Sequence, residues 1–285
     1  MTSTSHGAQA EIPWRIFALD TGSSLLEKSM LTYTSGFGEI VRIPRIMWVL
    51  TGPTTVVIDT SVAMNGKPEE FIGEDFSRTP DQEPVNALRR AGIDPKDVEY
   101  VLLTHLHWDH AGNCGLFPDA RVLVQRSELR YAAAPGRFFE RSFLSAPSGW
   151  DRAPYLVSNL DPLDGATTIV PGLSVLPVPG HTPGSQAIIA STVGGSFCIS
   201  GDAVCSYENV DRDLPPGFHV NVDDSMDSMD RMRAAADYLL PSHDYEVLSD
   251  GLTTEIGAFH VARGKLAPRW PREIQRGPGA VIDPS

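Results

Sequence analysis
The segment Thr104–Gly112, THLHWDHAG, places His105, His107, Asp109 and His110 within six consecutive positions. Imidazoles and carboxylates are the donors that zinc-class divalent cations take. Without a cation, a buried loop carrying three imidazoles and a carboxylate would have to find partners for all their polar atoms. The spacing excludes a helix as carrier. Ligands on one helical face recur at i and i+4, whereas His105, His107 and Asp109 alternate and His110 breaks the alternation. An extended segment with a turn at Trp108 can feed one ion from one side and a second ion from the other. A tetrahedral ion takes four donors, so two ions need further ligands from elsewhere in the chain.

Three such ligands follow. His181, in PVPGHTPGS, comes after the apolar run Leu173–Val178 and a turn at Pro179 and Gly180. Asp202, in CISGDAV, comes after Phe197–Ser200 and Gly201; His243, in LLPSHDYE, comes after Tyr238–Leu240. The first cluster itself hangs from Val98–Leu103. Each candidate sits at the carboxyl end of an expected strand, where open α/β architectures gather their chemistry. The isolated His6, His219 and His260 read as surface or internally satisfied residues.

The ordered set H-x-H-x-D-H, then H, then D, then H resembles the metallo-β-lactamase superfamily from about Ile40 to Glu246. The resemblance implies an α/β fold, a four-layer αββα sandwich with its metals in a groove at one edge of two sheets. It implies that His105, His107 and His181 ligate one ion and that Asp109, His110 and His243 ligate the other. Asp202 would bridge them. VVIDTS, ending in Asp59 and Thr60, resembles the early strand whose acidic residue stands behind the site, where it can accept the other N–H of a ligating histidine. The implied cofactor is two Zn2+, although iron, cobalt or manganese suit the same donors. Asp202 stands where the dizinc β-lactamases resemble one another in cysteine. His107 departs from the glutamate pattern of the flavo-diiron branch, which favours zinc and hydrolysis over oxygen reduction.

Within the superfamily the chain resembles the N-acyl-homoserine lactonase branch. The carriers are THLHWDHAGN, PGHTPGSQ, GDAVCSYENV, the Leu214-Pro215-Pro216-Gly217 turn and LLPSHDYE, with weaker support from TGSSLLEKS. One position departs: those lactonases share a tyrosine three residues past the bridging aspartate, where this chain has Cys205. Tyr207 belongs to the family's Y-E-N run. Cys205 and Tyr207 are therefore the candidate substrate contacts. A thiol is a poor donor beside a phenol, and losing one oxyanion donor can cost about 10² or more in rate.

Two cations can lower the pKa of a shared water to about 7 and polarise a carbonyl. Asp109 is the carboxylate placed to protonate the leaving group, and Asp202 is the second catalytic candidate. The expected activity is hydrolysis of a lactone of the N-acyl-homoserine lactone type. A hydrolase of another cyclic ester or amide, such as a pyridoxolactone, is the close alternative. Glyoxalase-II-like thioester hydrolysis comes next, although no basic C-terminal helical region is evident. A mononuclear iron persulfide dioxygenase would use His105, His181 and Asp202 alone and leave His107, Asp109, His110 and His243 without purpose. A non-catalytic scaffold would not require a full ligand set.

Composition agrees with a small-molecule enzyme. The chain has 285 residues, of which 41% are hydrophobic, enough for a sizeable core in one domain spanning 1–285. The formal net charge of −13 argues against nucleic acid, whose phosphates need clustered Lys and Arg. Three scattered cysteines, Cys114, Cys198 and Cys205, suggest reduced thiols and a cytoplasmic setting. No apolar run approaches the roughly 20 residues of a membrane span, and the polar first residues lack the apolar core of a signal peptide. Residues 1–11 read as a flexible tail. Residues 265–285 read as an extended arm available to a second copy in a homodimer.

Around the motifs, Ile43–Leu50 and Thr55–Asp59 read as a hairpin, Glu83–Ala91 as a helix stopped by Gly92, and Ala120–Gln125 as a strand. Ser127 is expected to cap a helix through Ala133. Asp223 or Asp224 is expected to cap another that runs to Tyr238, with Met226, Met229 and Met232 facing the core. Gln186–Ser191 and Ser196–Ser200 pair across Gly194 and Gly195. Three long segments are expected to shape the pocket or to pin themselves to the core with their aromatics. They are Met64–Pro80 with Phe71 and Phe76, Pro135–Asn159 with Phe138, Phe139, Phe143, Trp150 and Tyr155, and Ser206–Val222 with Tyr207 and Phe218.

Overall fold
Strand alternation dictates the architecture: in β3 (Thr55–Ile58), Val56 and Ile58 face one core while Val57 faces another. A computed structural model describes residues 13–63, 75–143, 152–249 and 251–266. The first sheet runs in the order β13-β1-β2-β3-β5-β6-β7, with β4 pairing β1. Its strands are β1 (Arg15–Glu27), β2 (Ile40–Thr51), β3, β4 (Asp75–Ser77), β5 (Tyr100–Leu102), β6 (Arg121–Gln125), β7 (Leu160–Leu163) and β13 (Thr253–Glu255). The second sheet runs β12-β11-β10-β9-β8. It contains β8 (Thr167–Val170), β9 (Leu173–Pro177), β10 (Gln186–Thr192), β11 (Gly195–Ile199) and β12 (Tyr238–Leu240).

Between the sheets lie Ile16, Trp48, Val56, Ile58 and Leu102 from one side and Val175, Ile188, Phe197, Ile199 and Leu240 from the other. The outer face of the first sheet, with Met47, Val49, Val57, Val101 and Val122, is covered by α1 (Pro84–Arg90) and α2 (Arg126–Ala133). The outer face of the second sheet is covered by α4 (Val222–Ala235), whose Met229 and Met232 pack on Ala187, Cys198 and Leu239. Two shorter helices are α3 (Tyr207–Arg212) and α5 (Ala258–Arg263), the latter packed against β12. The expected αββα sandwich is present, and so is the core role of the methionine stripe, with Met226 only partly buried.

The expected hairpin closes with Thr51 paired to Thr55, and the one across Gly194 and Gly195 with Thr192 paired to Gly195. The motif strand is shorter than expected and begins at Tyr100. Ser127 does not cap α2, because β6 runs directly into the helix and Gln125 takes the capping position in extended backbone. Asn221, not Asp223 or Asp224, caps α4, since its side chain reaches the amides of both aspartates at 2.9 and 3.2 Å. That helix stops at Ala235, and Tyr238 opens β12. The C-terminal arm does not begin at residue 265. Lys265 bridges to Tyr238 and Leu266 is buried. The rest of that arm, the N-terminal tail, Phe71 and Trp150 lie outside the described residues. Among the described residues no helix is long and apolar enough to cross a membrane.

Candidate metal centre
The ligand loops leave the ends of β5, β9, β11 and β12 at one edge of the sandwich. After β5, the Thr104 amide donates to Asp59 Oδ1 at 2.7 Å and the chain turns tightly, with the His110 and Ala111 amides both donating to the His107 carbonyl, at 3.0 and 3.1 Å. After β9, Gly180 adopts a φ of +136°, and a Cβ there would lie 2.5 Å from the Ser225 nitrogen, so glycine lets the His181 turn sit on the start of α4. Asp202 stands in the single turn Gly201–Ala203 after β11, and the His243 amide donates to the Cys205 carbonyl at 2.9 Å.

These loops bring together all seven residues singled out from the sequence, none more than 8% exposed. They form two quartets that share Asp202: His105, His107, His181 and Asp202, then Asp109, His110, Asp202 and His243. Within each quartet the donor atoms lie within 4.8 Å of one another. In the first, His181 Nε2 is 3.2 Å from His105 Nε2, 3.0 Å from His107 Nδ1 and 3.5 Å from Asp202 Oδ2. In the second, His110 Nε2 and His243 Nε2 each lie 3.1 Å from Asp202 Oδ1.

Hydrogen bonds behind the rings decide which nitrogens carry lone pairs. His181 Nδ1 donates to the Phe218 carbonyl at 2.7 Å and His243 Nδ1 to the Pro44 carbonyl at 3.0 Å, because a carbonyl can only accept. His110 Nδ1 donates to Asp59 Oδ2 at 2.7 Å. Thr104 Oγ1 donates to the same carboxylate at 2.8 Å and accepts from His105 Nδ1 at 3.0 Å. The Nε2 atoms of these four rings therefore converge, turned away from the hydrogen bonds behind them. Burial, the largest influence, pushes His105 and His107 well below the ordinary imidazole value and lowers His181. The Nε2 lone pairs of neutral His105 and His181, 3.2 Å apart, cannot hydrogen-bond to each other. Donors on a tetrahedral ion with bonds of 2.0–2.1 Å would lie about 3.3 Å apart. The side-chain atoms His107 Nε2, His110 Nε2, His243 Nε2 and Asp202 Oδ1 are buried without a hydrogen-bond partner. Burial opposes charge at His110, yet Asp202, Asp109 and Asp59 outweigh it and raise it well above its usual value. Burial likewise opposes charge at Asp202, but His243 and His110 hold it well below the carboxylate range. The donor set fits two cations.

Three supporting residues escaped the sequence reading or were only half seen. Asp59, at a left-handed φ of +57°, ties Thr104 to His110; such backbone costs of order 1–3 kcal/mol and collects at functional sites. Glu128 on α2 accepts from the Leu106 amide at 3.0 Å, Thr182 Oγ1 at 2.7 Å and the Gly184 amide at 3.1 Å, joining the first ligand loop to the His181 turn. A Cβ on Gly184 would sit 2.1 Å from the Glu128 nitrogen. Arg45 on β2 donates to Asp109 Oδ2 and to Ser24 Oγ. Its one sequence signal is a charge inside the apolar run Ile43–Leu50.

A cavity of about 430 Å³ opens onto Asp109, Asp202, His107, His181 and His243. Leu25, Leu26, Met30, Leu31, Ile40 and Ile43 form an apolar wall, a role the sequence did not announce. Cys205 lines the cavity, packed against Leu26, Leu31 and Ile43. Tyr207 does not: its ring is 1% exposed in the inter-sheet core, under the Arg263 guanidinium at 4.2 Å. Its place as the first residue of α3 turns it away from the substrate position expected of it. The loop aromatics divide in the same way. Phe138 and Phe218 line the cavity, whereas Phe143 and Tyr155 are core residues and Phe76 packs edge-on to Trp108 at 6.3 Å. His260 is buried, with Nε2 donating to the Val247 carbonyl at 3.0 Å, and His219 donates to the Pro216 carbonyl at 2.7 Å.

The metallo-beta-lactamase superfamily model matches residues 44–243. An N-acyl homoserine lactonase of a Bacillus species is 28% identical over 216 residues, covering 70% of this chain and 80% of that relative. The N-acyl homoserine lactonase AttM of Rhizobium radiobacter is 30% identical over 249 residues, covering 82% of this chain and 92% of AttM. Among solved structures, an N-acyl homoserine lactone hydrolase with the product N-hexanoyl-L-homoserine bound at its catalytic metal center superposes with a TM-score of 0.70. It is 24% identical and covers 83% of this chain and 95% of its own. The dizinc quorum-quenching lactonase AidC superposes with a TM-score of 0.63 at 16% identity, covering 82% of this chain and 89% of its own.

Proposed function
The chain belongs to the metallo-beta-lactamase superfamily, and from that premise we propose that it is a dinuclear metal-dependent hydrolase that opens lactones of the N-acyl-homoserine type. The observation that carries this reading is the convergence of seven buried donors, five of which line a cavity with one apolar wall. His105, His107 and His181 would hold one ion, Asp109, His110 and His243 the other, and Asp202 both. Zinc suits these imidazole and carboxylate donors. When bound, such a pair of ions supplies hydroxide near neutral pH and polarises a carbonyl.

The chain's own residues supply the rest. Leu25, Leu26, Met30, Leu31, Phe138 and Phe218 receive an apolar acyl arm and exclude water from it. His181, His243 and His110 are fixed in one orientation by the Phe218 and Pro44 carbonyls and by Asp59. Asp109 faces the cavity as a carboxylate: burial, the largest influence, opposes its charge, but Arg45 and His110 together outweigh it and hold it well below the ordinary range. It is the carboxylate placed to pass a proton to the departing alkoxide. Cys205 lies where a donor to the carbonyl oxygen would be useful and offers only a thiol. The three buried free thiols support a reducing, cytoplasmic setting.

The test is a pH-indicator assay of the metal-loaded protein against a panel of N-acyl homoserine lactones, other lactones, thioesters, cyclic amides and phosphotriesters. Acid release is expected first with N-acyl homoserine lactones of apolar acyl chain. Release only with thioesters or phosphotriesters would overturn the assignment.

A further inference from the structure
Arg45 is a buried cation, 4% exposed, in the strand beside the second quartet. Ser24, Trp108 and Asp109 are among the groups that hold it. Its Nε donates to Ser24 Oγ at 3.1 Å, its guanidinium carbon lies 4.9 Å from the centre of the Trp108 ring, and its Nη1 donates to Asp109 Oδ2. That same Oδ2 lies 3.4 Å from His110 Nε2 and 3.6 Å from His243 Nε2, so it is the carboxylate oxygen turned toward the second set of donors. The first quartet does not contain Asp109.

Building on the dinuclear reading, we propose that Arg45 makes the two metal sites unequal in affinity, keeping the Asp109–His110–His243 site the weaker. A carboxylate oxygen shared between a guanidinium and a divalent ion gives less of its charge to each. A permanent cation a few ångströms away repels a second one in a buried, low-dielectric setting. Guanidinium does not deprotonate in proteins, so the effect persists at every working pH. The Trp108 stack and the Ser24 bond hold the group in place. The protein accordingly fills its first site before its second, and Arg45 is a positioning residue for the second ion, acting through Asp109.

Zinc titrated into the metal-stripped full-length chain, in competition with a chromophoric chelator, reads the two steps separately. The wild type should bind two ions with the second step weaker. Arg45→Met should tighten the second step by about tenfold or more while leaving the first unchanged, and Arg45→Lys, which keeps the charge, should leave the second step weak. If Arg45→Met fails to fold, Arg45→Gln is read in the same way. A second step that is unchanged or weaker in a folded, neutral variant overturns the proposal and leaves the dinuclear reading standing. Binding of a single ion at saturating zinc, in wild type and variant alike, overturns both.

Discussion
His181 and Phe218 are joined twice. The imidazole Nδ1 donates to the Phe218 carbonyl at 2.7 Å, and the two ring centres lie 5.9 Å apart. The backbone of Phe218 thus orients a candidate ligand while its side chain lines the substrate cavity. Phe218→Ala should separate these functions. The carbonyl remains, so metal content should stay at the wild-type level. Loss of part of an apolar wall is worth about 1–2 kcal/mol, which should raise KM roughly tenfold for long-chain N-acyl homoserine lactones and less for short ones, with little change in kcat. Steady-state kinetics over an acyl-length series, with metal analysis, checks this.

Glu128 links Leu106, between two candidate ligands, to Thr182, beside a third. Burial, the largest influence, raises its carboxyl from 4.5 to about 7 despite three hydrogen bonds that favour the charged form. A carboxyl raised on folding contributes stability that is fully present below its unfolded pKa and is lost as pH climbs through the folded value. Between about pH 4.5 and 7 the wild type should therefore lose stability relative to Glu128→Gln, by up to about 3 kcal/mol. Denaturant unfolding of both proteins at pH 5 and pH 8 measures it, and a difference that does not change with pH would refute it.

Asp202 offers Oδ1 to His110 and His243 and Oδ2 to His105 and His181. Asp202→Ala should depress zinc affinity at both sites by more than the about 10–100-fold typical of losing a supporting residue, and turnover should vanish with it. Equilibrium dialysis against zinc, beside the lactone assay, reads both. Full activity in the variant would remove Asp202 from its bridging position.

Cys205 lines the cavity but is 4% exposed, and burial together with Asp202 and Asp109 pushes its thiol well above the ordinary value. It should react slowly with iodoacetamide at pH 8 in the folded protein. Cys205→Ala should keep lactone hydrolysis within about tenfold of wild type, since a thiol donates weakly. Peptide mapping of the alkylated protein and kinetics of the variant test the two halves of this statement.

The ligands were legible because their chemistry forbids most alternatives. His105, His107, Asp109 and His110 cannot be buried together cheaply, and His181, Asp202 and His243 each follow an apolar run and a turn. The hairpin from Ile43 to Ile58 and the methionine face of α4 were legible from periodicity. Capping was misassigned where two candidates adjoin: Asn221 lies only two positions before Asp223, and its geometry, not its type, makes it the cap. Tyr207 was misplaced because a single turn of α3 decides whether it faces the cavity or the core. The roles of Glu128, of Arg45 beyond its charge in an apolar run, and of the wall from Leu25 to Leu31 are not legible in the sequence because they arise from contacts between segments far apart in it.

The central claim is that lactone opening depends on both quartets being filled. The direct measurement is the rate of N-hexanoyl-L-homoserine lactone hydrolysis as zinc is added back, equivalent by equivalent, to the metal-stripped chain. The rate should rise until about two ions are bound per chain. Full rate with one ion bound, or no acid release at any loading, would contradict it.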